Sequence, residues 1–324
     1  MPELLRNKRV CKLMPGLDTV TGDLKAFKLQ HTLIAGTRED TDDILNSLLC
    51  HLVMFNKPDN ISIEYYTYCN GLDTWMNPER RLPHFRNQYN PRTIDEVWVR
   101  LEKILQFCQS KFEGYAETYL SVSNMVLVLN EVDLLLGDNI SDIEYRLDLL
   151  QALFECGDKI GLKLIVVTNQ ENSYMHQLLN YFTLRMATAI SSEWSDTLFD
   201  YNIAKQINES RRHIWVREDR NKFNIQRFKL NYYHETFLNN LCKLYQLSCP
   251  FNEWDKINNM RPLSELSATH LSLLIKRMYH AIVSSQGLTS EQMKRVYVKA
   301  SCYMNCDEDK SVILEDIINL IKGV

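Results

Sequence analysis

The chain has 324 residues, of which 45% are hydrophobic and 24% charged, with a formal net charge of −4. This is enough for one large α/β domain and a smaller appendage, and it gives no global case for nucleic-acid binding. No stretch is apolar for the length a membrane span needs, and the opening MPELLRNKRVCKLMPG has no apolar signal core, so no export signal is expected. Nine cysteines (11, 50, 69, 108, 156, 242, 249, 302 and 306) are scattered, mostly inside apolar segments. That pattern fits buried thiols in a reducing cytosol better than a disulfide framework or a zinc site. The expected location is cytoplasmic, with any link to a membrane-bound machine made through partners.

In chain order, Pro15-Gly16 and Thr21-Gly22-Asp23 are turn signals, and LKAFKL (24–29) reads as a short strand. His31 to Val53 then carries an apolar run, Thr32 to Ala35, a break at Gly36, and a helical pattern. Ile44, Leu45, Leu48, Leu49, Leu52 and Val53 recur at the 3.6-residue period. Strand, tight loop and amphipathic helix form the frame of a phosphate-binding P-loop. The loop chemistry differs from a working one, which needs glycines, a Lys and a Ser/Thr. Counting from Gly36 and Thr37, Glu39 and Thr41 stand in glycine positions, Asp42 in place of the Lys and Asp43 in place of the Mg²⁺-binding hydroxyl. Asp40, Asp42 and Asp43 are expected to cap the helix start with their own carboxylates.

ISIEYYTY (61–68) reads as a strand, 69–92 as loop, and 93–120 as a long helix capped by Thr93 or Asp95. NMVLVLNEVDLLL (124–136) opens with a continuous apolar run suited to a buried parallel strand. It ends in Asn130-Glu131 at the carboxyl edge, where open α/β sheets bind ligands. A helix over 141–156, a strand over 161–168 ending before Asn169, a helix over 173–182 and a strand over 184–190 follow. This alternation argues for a mostly parallel sheet. Residues 212–230 read as a hairpin, and helical patterns alone fill 235–245, a helix with Ser264 as its cap, 289–303 and 311–322. The expected domains are therefore 1–230 and an α-helical 231–324.

With these pieces in order, residues 12–230 resemble the FtsK/SpoIIIE family of RecA-like motor ATPases. His31-Thr-Leu-Ile-Ala-Gly36 is similar to the family's HLLIAG strand, and NMVLVLNEVDLLL to its hydrolysis strand ending in Asp-Glu. Gly161-Leu-Lys-Leu-Ile-Val-Val-Thr-Asn169 is similar to its GIHLILATQ strand, and LRMATAISSEWSDTLFD to its TRIAF…S…D segment, with Arg185 and Asp200 kept. The resemblance implies a RecA-like α/β fold of the P-loop NTPase type. It places a vestigial nucleotide site at Gly36, Thr37, Asp42, Asp43, Asn130 and Asn169, and a vestigial catalytic residue at Glu131. The family's Asp before this Glu is Asn130 here, and its Gly-Arg pair reads Gly157-Asp158.

The departures fall where phosphoryl transfer takes its Lys, Mg²⁺ ligands and arginine. The expectation is a catalytically degenerate domain with no bound ATP or Mg²⁺ and no other metal. It would act as a structural or regulatory subunit of a DNA-translocation, conjugative-transfer or type VII-like secretion machine. Its partners would be proteins, such as an active FtsK/SpoIIIE-like motor or a ring of copies. Two alternatives stay open: an active translocase with a non-standard site built on Glu131, and a nucleic-acid-binding module without nucleotide. For the latter, Arg211, Arg212, Trp215 and Arg217 in the hairpin combine basic and aromatic character, and Arg80, Arg81, Arg86 and Arg92 form a weaker set.

Overall fold

The structure, a computed structural model, describes residues 11–56, 58, 60–68, 75, 82–85, 93–113, 124–171, 173–200, 203, 213–218, 225–230, 233, 237, 240, 262–279 and 288–303. The strands are β1 (Lys12–Leu13), β2 (Leu17–Asp18), β3 (Phe27–Lys28), β4 (Thr32–Ala35), β5 (Ile61–Thr67), β6 (Asn124–Asn130), β7 (Leu162–Thr168), β8 (Leu184–Ala187), β9 (His213–Glu218) and β10 (Ile225–Lys229). The helices are α1 (Arg38–Phe55), α2 (Ile94–Glu113), α3 (Val132–Leu136), α4 (Ile140–Ile160), α5 (Ser173–Leu178), α6 (Ser192–Phe199), α7 (Ala268–Tyr279) and α8 (Ser290–Tyr303). The chain divides into two compact units: Met1–Asn90, Ser123–Leu135 and Lys163–Asn252 form the first; Pro91–Val122, Leu136–Leu162 and Glu253–Val324 form the second.

The first unit is built on a sheet of order β2-β10-β9-β8-β4-β7-β6-β5. β4 lies parallel to both β7 and β8, and β5 parallel to β6, whereas β9 runs antiparallel to β8 and β10. It is the mostly parallel α/β sheet expected, with the antiparallel hairpin at one end. All four residues of β4 and all seven of β5 are buried, as strands covered on both faces must be. The predicted stripe of α1 is the buried one. Ile44, Leu45, Leu48, Leu49, Leu52 and Val53 pack with Ile34, Val126, Val128, Ile165 and Val167 in one core. Gly16 is needed for close approach, because a Cβ there would lie 2.1 Å from the Lys229 carbonyl oxygen at the end of β10.

Between 24 and 29 only Phe27–Lys28 joins a ladder, pairing with β1 as a two-stranded ribbon. The strand expected over 184–190 stops at Ala187, and the helix over 173–182 ends in a 3₁₀ turn, Leu179–Tyr181. His31, just before β4, accepts a hydrogen bond at Nδ1 from the Leu164 amide (3.0 Å). Burial, and secondarily the charge of Lys163, push its imidazole down to about 3, so it is folded in as a neutral ring.

The second unit is helical. α4 contacts α2 and α8, and α7 contacts α8. α4 is longer than the pattern suggested because Asn139 caps its start, accepting from the Ser141 amide, while Gly161 closes it in the left-handed conformation. Thr93 accepts from the Glu96 amide at the start of α2, which settles its cap. Ser264 is not the cap of α7: it lies in a 3₁₀ turn, Leu263–Glu265, and Ser267 receives the His270 amide instead. Glu102, 1% exposed on α2, is held by Lys294 of α8 (2.8 Å) and by the Tyr145 hydroxyl of α4 (3.0 Å). The helices expected over 235–245 and 311–322 fall almost wholly outside the described residues.

Two measurements check these assignments. Lys294→Met strands the Glu102 carboxylate without its cation, and urea denaturation should show a loss of about 3–5 kcal/mol. His31 must gain a proton to unfold below its ordinary value of 6.5, so stability present above pH 6.5 should be lost progressively as pH falls toward about 3. In His31→Gln the urea midpoint should fall less over that window.

Candidate functional site

The carboxyl edge of β4, β6 and β7 brings together most of the residues singled out in the sequence. Gly36 ends β4 with φ 153°, and a Cβ there would meet the Thr188 methyl at 2.3 Å, so the turn requires glycine. Only Gly36 and Thr37 separate β4 from α1, which starts at Arg38. A phosphate cradle is made of loop amides that face a ligand. Here the segment that would be that loop is already helix, and the Thr41 amide donates to the Thr37 carbonyl (2.9 Å).

The expected self-capping takes a different form. Thr37 is the N-cap residue but forms no side-chain cap bond, and its hydroxyl instead donates to Asp40 (2.6 Å). Asp42 accepts from the Asn130 amide nitrogen (3.3 Å), which also donates to the Tyr65 hydroxyl (3.0 Å). Asp43 follows, half-buried, on the same helix. Thr41 is fully buried; its hydroxyl donates to the Arg38 carbonyl (3.0 Å) and accepts from Asn169 Nδ2 (2.8 Å). Asn130 and Asn169 are thus engaged with the first turns of α1.

Glu131, 3% exposed, follows β6 in the left-handed conformation at φ 56°. A non-glycine residue held there costs about 1–3 kcal/mol, and such strain clusters at functional sites. Its two oxygens are bound by side chains. Arg38 Nε lies 3.0 Å from Oε1, and the Thr67 hydroxyl donates to Oε2 (3.0 Å). Close by, Asp133 accepts from the Thr168 hydroxyl (2.6 Å) and the Asn169 amide (2.8 Å). Burial raises its carboxyl above the ordinary range, and those hydrogen bonds oppose the shift. Arg38, Thr67 and Asp133 were not singled out in the sequence. Thr67 alone left a trace, as the last residue of β5, in register with Asn130.

Gly157 and Asp158 lie on α4 of the second unit. Gly157 is buried against Leu162 and its carbonyl receives the helix-closing amide of Gly161, while Asp158 is exposed. The basic hairpin divides by packing. Arg217 is 1% exposed and donates to the Leu198 carbonyl (3.1 Å) and Asp200 (2.7 Å), so no phosphate backbone can reach it. Trp215 is half-buried with the Arg227 guanidinium 5.9 Å from its ring centre. Arg211 and Arg212 lie outside the described residues, as do Arg80, Arg81, Arg86 and Arg92. Arg185, like Arg217, is spent inside, donating to the carbonyls of Leu179, Phe182 and Leu198. Among the described residues no group of three or more His, Cys, Asp or Glu side chains is arranged to hold a metal ion, and no helix is long and apolar enough to cross a membrane.

No family model and no curated protein matches the chain. Solved structures do. The cytoplasmic domain of the type VII secretion ATPase EccC from Thermomonospora curvata superposes with a TM-score of 0.64 at 16% identity, over 82% of this chain and 35% of its own. The fold is that of the FtsK/SpoIIIE-type ATPases. The pCW3 conjugation coupling protein TcpA, in a structure with ATPγS, gives 0.57 at 13% identity, over 75% of this chain and 72% of its own. ATPases 2 and 3 of EssC from Geobacillus thermodenitrificans give 0.51 at 14%, over 73% and 49%. This chain therefore spans about a third of the EccC chain and half of the EssC one. At these identities the shared property is the fold.

Thr67→Val removes one hydrogen bond from buried Glu131 and should cost about 1–2 kcal/mol in urea denaturation. Arg38→Met removes the cation and should cost at least as much, with the double variant less than the sum because both partners serve one carboxylate.

Proposed function

We propose that this chain is a catalytically degenerate FtsK/SpoIIIE-like domain, serving as a structural or regulatory subunit of a secretion or DNA-transfer machine. The observation that carries the proposal is the start of α1 at Arg38, whose side chain pairs with Glu131. In an active domain the Glu would orient water toward a γ-phosphate. Here it is held by a guanidinium from the segment that should cradle that phosphate. A triphosphate approaching this edge would meet Glu39, Asp40, Asp42 and Asp43 where an ammonium and a metal should neutralise it. Each unscreened like-charge contact a few ångströms apart costs on the order of 1–4 kcal/mol.

The names of the neighbours refer to type VII secretion and conjugation, which supports a client of that kind. On this proposal residues 1–230 supply a motor-shaped body and 231–324 form an α-helical appendage. An inert subunit beside active motors can set the geometry of their shared interfaces without turning over nucleotide itself.

Calorimetric titration of the full chain with Mg²⁺ and a non-hydrolysable ATP analogue tests the proposal. The wild type, Glu131→Ala and Asp42→Lys should all give no heat of binding, since a lysine at 42 does not unwind the first turn of α1. Submillimolar binding by the wild type that Glu131→Ala abolishes would overturn the proposal and make the chain a motor with an unusual site.

A further inference from the structure

At the hairpin end of the sheet, one face belongs to the core and the other does not. Ile214, Val216 and Phe228 pack into the core, so alternation turns Trp215 and Arg227 to the opposite face. Trp215 stands opposite Arg227 in the β9–β10 register, and the guanidinium lies 5.9 Å from the indole ring centre. Arg227 in turn donates from Nε to the hydroxyl of Thr19, just past β2 (3.2 Å). One step along the same face, Lys229 stands opposite His213. Arg227 and Lys229 are exposed, and Trp215 and His213 are half-buried.

This face is cationic. Arg217, the next residue of β9 on it, is already neutralised by Asp200, whereas Arg227 and Lys229 form no ion pair among the described residues. The Trp215 Nε1 donor, shielded from solvent, has no acceptor among the described residues either. The turn after β2 adds apolar surface: Val20, directly after Thr19, is 91% exposed, and Leu24 on the same turn is exposed too. An aromatic ring paired with a guanidinium is what protein interfaces concentrate at their anchors. The turn also argues against a polyanion. Asp18, whose carboxylate accepts the Val20 and Thr21 amides (2.7 and 3.1 Å), and Asp23 place negative charge beside the row. A phosphate strand following the cations toward β2 would run into that charge, whereas a single carboxylate on a protein stops short of it.

We propose that this face, centred on Trp215 and Arg227 and rimmed by Lys229 and Val20, docks an acidic, partly apolar segment of a partner protein. Carboxylates of the segment pair with the two cations, with the planar guanidinium suited to a bidentate contact. Its apolar side chains cover Val20 and the Trp215 ring, removing from water surface that the chain alone leaves exposed. Charge matching of this kind sets the choice of partner and the rate of association more than raw affinity. β9 is four strands along the sheet from β6, about 19 Å at ordinary strand spacing. The docking face is therefore independent of the edge that holds Glu131 and stands whether or not that edge binds nucleotide.

The test is fluorescence anisotropy of the full chain with a labelled copolymer of glutamate and tyrosine, which joins carboxylates to apolar rings. Polyglutamate and oligo(dT) serve as the purely anionic comparisons. The expected result is binding of the copolymer that weakens about tenfold in Arg227→Gln, weakens also in Val20→Ser, and is not displaced by oligo(dT). No binding of the copolymer, or binding that both variants leave unchanged, overturns the proposal. So does polyglutamate binding as tightly as the copolymer, which removes the apolar part of the recognition. Displacement by oligo(dT) overturns it as well and makes a nucleic-acid strand the occupant. Both substituted residues are exposed, so the variants are expected to fold, and an unchanged thermal midpoint verifies it.

Discussion

The connection from β4 to α1 constrains everything at the carboxyl edge. With two residues between strand and helix, the first turn of α1 must sit directly over the ends of β4, β6 and β7. From there Arg38 reaches Glu131, Thr41 meets Asn169 and Asp42 meets Asn130. The same short turn demands Gly36, since any side chain there collides with Thr188. The short connection starts the helix at Arg38, so the Thr41 amide is already bonded to the Thr37 carbonyl. The Asn130 and Asn169 amide nitrogens and the Glu131 carboxylate find partners within the edge, whereas Asn130 Oδ1 and Asn169 Oδ1 are buried without one among the described residues.

Much of this fold could be read from residue patterns. β4, β5, β6 and β7 are short apolar runs bounded by polar residues, and α1 repeats its apolar stripe over three turns, so burial on both faces and on one face respectively were legible. The order of the strands in the sheet was not readable from periodicity. What periodicity could not supply was partner choice. Arg38 looked like one more charge in an acidic loop, because nothing in a linear pattern shows that the end of β6 lies above it. Arg217 failed in the opposite sense: a basic residue beside Trp215 suggested a nucleic-acid surface, yet the Leu198 carbonyl and Asp200 bury it. The cap of α7 was misplaced by three residues because Ser264 and Ser267 are equally good capping residues in isolation.

The second unit sets buried ion pairs into an apolar core of Leu101, Ile104, Leu105, Leu150 and Leu153. A carboxylate that is 1% exposed survives there only because Lys294 and Tyr145 converge on it, and Arg146 similarly links the Leu136 carbonyl to Asp95. Pairs of this kind are poor contributors to net stability but strong selectors of one arrangement, since a slipped helix leaves a bare buried charge. That α8 carries Lys294 and Lys299 to Glu102 and Asp148 fixes the register of the last described helix.

The pairing of β4 also has a consequence for biosynthesis. Thr32 lies beside Ile165 on one side and Leu184 on the other, so the central strand has no neighbour until more than a hundred further residues exist. At ordinary elongation rates that interval lasts on the order of ten seconds. Throughout it the apolar face of α1 lacks the part of its core that Ile165, Val167, Leu184 and Met186 supply, and the nascent chain is exposed to aggregation. A chain with this strand order has reason to meet a chaperone on the ribosome.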